Sequence, residues 1–207
     1  MNDFKVVMNQ MNNLWKLKRI PLILNSNIPK SSKNYIGEVT GKFTYENYYT
    51  LYNECISNKN YQILMQDESV ISMYYLFDSE GKIKGYNLSF IPSLNNEITK
   101  YDCNISNIFS DVENYLRIDF DMQGYKKIVH EKQHLHIGIN VKTKKHDRNI
   151  IRFPIAEKIY PWDFIWLVLK LIYHMEDSYD KSFGDNRGEN DNLINVEEQI
   201  LHLKFRK

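Results

Sequence analysis

The sequence predicts an α+β fold: a mostly antiparallel sheet with helices packed on one face. Three observations carry that expectation. Short β-rich runs follow one another closely enough for hairpins. One strongly apolar helix comes after them, and no repeat breaks the chain. At 207 residues with 43% hydrophobic and 26% charged side chains, the chain can bury a core without disulfides or metal.

Residues 2–19 read as one amphipathic helix, with Phe4, Val7, Met8, Met11 and Leu14 near helical spacing. Pro21 and Pro29 bracket a stretch expected to be irregular, and a strand is expected over 35–39. Thr44 is the expected cap of a helix running to residue 57, with Glu46 in its first turn. Residues 61–65 form a short strand. Residues 70–77 and 82–91 flank Asp78-Ser79-Glu80-Gly81, whose glycine suits the positive φ of a hairpin turn, and Pro92 ends the second strand. A short helix is expected over 105–114, followed by strands at 115–120, 134–141 and 150–155. Pro161 opens a helix over 161–175 that is apolar almost all round and so expected against the sheet. Residues 1–176 then make one domain. The acidic stretch after it reads as a linker and 193–203 as a last helix able to dock or swap onto a neighbour, so a homo-oligomer is one expectation.

Composition excludes several classes. A net charge of +1 predicts no general affinity for nucleic acid or membrane. Charge is nonetheless uneven, with basic residues gathered in 1–34 and 126–152 and carboxylates in 176–198, which permits a local anion-binding surface beside the plainer reading of solvated loops. Cys55 and Cys103 lie too far apart for a CxxC motif and are too few for a disulfide framework. The first residues lack the pattern of a signal peptide and the longest apolar run is too short to span a bilayer, so a cytoplasmic protein is expected. No GxxxxGK[ST] motif occurs, which excludes an ATPase of that type on this chain. The 15 tyrosines go with abundant Asn, Lys and Ile, a codon bias rather than a chemical signal.

The chemistry concentrates between residues 116 and 154. In Arg117-Ile118-Asp119-Phe120-Asp121, alternation on a strand puts Arg117, Asp119 and Asp121 on one face. His134 and His136 share a face in the same way, and Arg152 sits beside a strand end. If the three strands are neighbours, one sheet face gathers all six residues. Asp119, His134 and His136 are then candidate catalytic residues, with one histidine as base and the other as acid, and Arg117 and Arg152 hold a phosphate. The alternative is a divalent metal ion on His134 and His136 with an oxygen ligand from Asp119 or Asp121. His130 joins only if the chain bends back. Also open are a structural role, in which the histidines and arginines pair with the carboxylates and set strand register, and a binding-only one. Cys55, and Trp162 with Trp166, read as packing.

The segments YLRIDFD, HEKQHLHIG, RFPI and the Pro-led WDFIWLVLKLIY, with the upstream ISMYYLF and YNLSFIPS, resemble the bacterial family known as domain of unknown function 2290 over about residues 35–175. The connection at 140–149 is longer than the family's usual one, which leaves the pairing of its flanking strands open. The resemblance implies a component of an anti-phage defence system working with a helicase-like partner. A weaker likeness is to small toxin components of toxin–antitoxin pairs. The function expected is an effector that binds, and as a nuclease cleaves, nucleic acid. The alternative is a non-catalytic, antitoxin-like interaction module.

Overall fold

A computed structural model describes residues 2–41, 47–93, 114–121, 132–140 and 151–175. Among the described residues, three α-helices, a 3-10 helix and eight strands make up an α+β fold in which every strand pairing is antiparallel.

The first helix, α1 (Asp3–Asn12), starts where the Asn2 side chain accepts a hydrogen bond from the Lys5 amide at 3.1 Å, which satisfies one of the amide donors a helix start leaves open. It ends earlier than the expected single helix to residue 19. Asn13 Nδ2 donates to the Asn9 carbonyl at 2.7 Å, a side-chain bond of the kind that competes with helix continuation, and a 3-10 helix (Leu14–Arg19) follows. Three residues per turn keep Leu14 and Leu17 on the same inward side, so the apolar pattern runs on through the break.

The bracketed stretch after Pro21 is not irregular throughout: it holds strand β1 (Ile23–Ser26), which pairs with β3 (Ile63–Met65) at one end of the sheet. Four residues are too few to display alternation, which explains why the sequence hides them. Strand β2 (Tyr35–Ile36) is shorter than expected and shares one side of β4 (Val70–Phe77) with β3. The helix α2 (Tyr48–Ser57) begins after Asn47, and the expected cap Thr44 lies outside the described residues. The hairpin of β4 and β5 (Ile83–Ile91) forms as expected. Asp78 Oδ1 accepts from the amides of Glu80 and Lys82, both at 2.9 Å, and Gly81 takes a φ of +76°.

Strands β6 (Asn114–Asp121), β7 (Gln133–Asn140) and β8 (Ile151–Pro154) complete the order β1-β3-β4-β5-β6-β7-β8. The long connection therefore does not prevent β7 and β8 from pairing, with His136 opposite Arg152. Of the expected helix at 105–114, Asn114 belongs to β6 and the rest lies outside the described residues, as do Cys103, His130 and everything after residue 175. The Pro-led helix, α3 (Pro161–Leu171), is four residues shorter at its end than expected, and its Asp163 carboxylate accepts from the Tyr160 amide at 3.1 Å.

Alternation divides the sheet into two unlike faces. Tyr75, Leu88, Phe90 and Ile118 point to the side that α1 and α3 cover, and with Val7, Met11, Phe164 and Val168 they form the main core. Tyr75 donates to the Ile159 carbonyl at 3.0 Å and Tyr86 accepts from the Ile159 amide at 3.1 Å, so the segment leading into α3 is tied to the sheet by satisfied polar contacts. Asp3 closes the same side, accepting from the Ile83 amide and the Tyr160 hydroxyl at 2.9 Å each and from Lys158 at 3.3 Å. The opposite face carries a smaller cluster in which Tyr48, Tyr52 and Cys55 of α2 pack on Val70, Ile91 and Tyr115. Cys55 is thus a core residue, as expected, and burial pushes its thiol up to about 12. Among the described residues, no helix is long and apolar enough to cross a membrane.

Candidate functional site

Beyond the α2 cluster, the second face of the sheet turns polar, and the strand register dictates which side chains meet. Two rows cross β5, β6, β7 and β8. One is Ser89, Arg117, His136 and Arg152; the next is Asn87, Asp119, His134 and Pro154. Directly opposed residues on an antiparallel pair hold their Cβ atoms about 5 Å apart. Asp119 and His134 are opposed across β6 and β7, and His136, two residues on, returns to the same face.

These positions bring the chemistry together. The donor atoms of Asp119, His134 and His136 all lie within 4.8 Å of one another. The two imidazole rings stand edge to face with centroids 4.4 Å apart. Asp119 Oδ2 receives Arg117 at 2.7 Å and lies 3.2 Å from His136 Nε2, while its Oδ1 accepts from Asn87 Nδ2 at 2.7 Å. Asn87 is in turn oriented through its own oxygen, which accepts from Ser89 Oγ at 3.1 Å and Thr40 Oγ1 at 3.2 Å. The histidines are buried, at 3% and 4% exposure, whereas the Arg117 and Asp119 side chains keep 17% and 18%.

The electrostatics follow from this packing. Burial alone would raise the pKa of Asp119; the hydrogen bond from His136, the charge of Arg117 and the bond from Asn87 outweigh it and hold the carboxyl below its usual range. Burial opposes the charge on Arg117 as well, but Tyr115 and Asp119 beside it prevail and its pKa is raised. Asp119 is therefore a fixed carboxylate and Arg117 a fixed cation.

Of the residues singled out from sequence, Arg117, Asp119, His134 and His136 come together. Asp121, on the same face by alternation, is exposed at the strand end, and it is Asp119 whose donor atom meets those of the histidines. Arg152 stands opposite His136 in the register, and its side chain lies outside the described part of the structure. Asn87, Ser89 and Thr40 were not anticipated. The alternation of Asn87 and Ser89 in YNLSF was a usable signal for the first two; nothing local marks Thr40, which reaches Asn87 only through the fold.

Fold and site together define an α+β protein whose open antiparallel sheet carries a buried set of two histidines and one carboxylate, braced by an arginine. The chain belongs to the family described as uncharacterized conserved protein DUF2290, whose model matches residues 14–205. That match extends well beyond the 35–175 segment that carried the resemblance in the sequence. No curated protein and no solved structure matches the chain.

Proposed function

We propose that this protein is an effector of a bacterial anti-phage defence system that acts on nucleic acid, in the cytoplasm and with a helicase-type partner. In this reading His134 and His136 do the proton transfer at a phosphodiester, Asp119 orients His136, and Arg117 holds the phosphate, with Arg152 as a second phosphate contact. One observation supports it above the others: the donor atoms of three residues with acid–base capacity converge within 4.8 Å beside an arginine, on rigid strands rather than loops. Histidine titrates close to neutral pH in its ordinary state, which suits it to such a role.

A second reading has its own observation. Asp119 already engages Arg117, His136 and Asn87, the arrangement expected of a polar cluster that sets register in a non-catalytic interaction module. The double variant H134A/H136A separates the two, assayed on labelled single- and double-stranded DNA and RNA with the partner present. Loss of cleavage at unchanged melting temperature and partner binding supports the effector. Absence of cleavage by the wild type sinks it, and a variant that only melts earlier favours the module. Deleting α1 is no test of partner binding, because Val7 and Met11 belong to the main core and the deletion would unfold the chain.

A further inference from the structure

We infer that Asp119, His134 and His136 form a binding site for one divalent transition-metal ion of the zinc type. The inference concerns the same residues as the proposed function, but it stands on coordination geometry and holds whether or not nucleic acid is the substrate.

The donor chemistry comes first. Two imidazoles and one carboxylate are a mixed nitrogen and oxygen set, which suits zinc, cobalt, manganese or iron. Magnesium and calcium want oxygen ligands in greater number, and a site with one carboxylate and two buried histidines offers them little. Around a tetrahedral ion with bonds of about 2.0–2.2 Å, neighbouring ligand atoms come to lie a little over 3 Å apart. His136 Nε2 and Asp119 Oδ2 are already at 3.2 Å. The whole set lies within 4.8 Å, so small side-chain movements would bring the three donors to bonding distance of one ion.

Placement on the sheet supplies the rigidity. His134 and His136 are two apart on β7, and Asp119 is opposite His134 on β6, so three ligands come from two hydrogen-bonded strands. Burial of both histidines shields such an ion from bulk water. The surroundings match what metal sites require of their second layer of contacts. Asn87 donates to the carboxylate oxygen that points away from His136 and is itself held by Ser89 and Thr40, so the carboxylate has a fixed orientation. Three protein ligands leave the fourth position open, the mark of a reactive rather than a purely structural zinc site. Arg117, 2.7 Å from Asp119 Oδ2, puts a positive charge beside the site, which suits an anionic ligand with oxygen donors.

The experiment uses the full-length protein. It is purified without chelator, its metal content is measured by inductively coupled plasma mass spectrometry, and the stripped protein is titrated with Co2+ and Zn2+. The expected result is about one equivalent bound, with visible d–d bands of four- or five-coordinate Co2+ that Zn2+ displaces. His136→Gln should abolish the bands, and Asn87→Ala should weaken binding by about 10–100-fold. Circular dichroism confirms that each variant is folded. If His136→Gln fails to fold, the weakened Co2+ affinity of Asn87→Ala, which removes no ligand, tests the site in its place. A wild type that takes up neither ion, or one whose binding is unchanged in His136→Gln, overturns the inference. Metal binding with no cleavage of any nucleic acid leaves the site standing and removes the effector reading. Cleavage by a protein that takes up neither ion does the reverse.

Discussion

Replacing Asp119 by alanine tests the electrostatics of the polar face most directly. The change removes the acceptor that Arg117 meets at 2.7 Å, His136 at 3.2 Å and Asn87 at 2.7 Å. Left behind is a guanidinium whose side chain is 17% exposed and has lost its counter-ion. Breaking a fully buried pair from one side costs about 3–5 kcal/mol, and losing an exposed pair about 0–1 kcal/mol. With both partners mostly but not wholly covered, solvent screening trims the buried figure, and the expected loss is about 2–4 kcal/mol at neutral pH. Urea unfolding followed by circular dichroism measures it, in metal-free buffer so that ligand loss does not contribute. The variant R117M/D119A should lose less than the sum of the two single changes, since no unpaired charge stays behind.

The pH dependence has a definite sign. The folded-state pKa of Asp119 is lowered, so its contribution is complete above the unfolded value of about 3.9 and is lost as the pH falls through the folded value. The gap between wild type and D119A should therefore narrow as the pH drops below about 4. A loss under about 1 kcal/mol at neutral pH, or a gap that widens on acidification, refutes the argument.

Two further outcomes are expected. Burial holds the phenols of Tyr48, Tyr75, Tyr86 and Tyr173 well above their ordinary value and that of Tyr52 at about 12. This stabilisation is full below the unfolded value of about 10 and is lost as the pH rises toward the folded values, so absorbance at 295 nm should show these phenols ionising together with the loss of far-ultraviolet ellipticity. Their ionisation in a still-folded protein near pH 10 would contradict the burial. Gly37→Ala should destabilise by more than about 2 kcal/mol, because Gly37 takes a φ of +88° and an added Cβ would run into the Met73 carbonyl in a central strand. Gly81→Ala, also at positive φ, meets only the Asn2 side chain, which can move, so its melting temperature should fall less. The opposite order would show that the turn, not the strand, is the tighter constraint.

Local pattern was enough where the physics is local. The β-rich run VISMYYLF and the Asp-Ser-Glu-Gly turn specified the β4–β5 hairpin, and Pro161 before an apolar run specified the start of α3. Alternation placed Arg117 and Asp119 on one face of their strand and His134 and His136 on one face of theirs, so four residues of the candidate site were readable from two short segments. Local pattern misled where a side chain competed with the backbone or an element was too short. Asn13 turns the first helix into a 3-10 segment, and the four residues of β1 become a strand only because β3 lies beside them.

What the tertiary structure alone decided is which faces meet. A strand's period of two assigns side chains to a face, but it carries no information about which strands are neighbours or in what register. The pairing of Asp119 with His134, and not of Asp121, is a property of the β6–β7 register. The bracing of Asp119 by Asn87, and of Asn87 by Thr40 from 47 positions away, exists only once β5 lies against β6 and the segment after β2 crosses the sheet. Local pattern specified which residue types share a strand face; long-range strand pairing turned them into a site, because hydrogen-bonded register is set by contacts between segments distant in the chain.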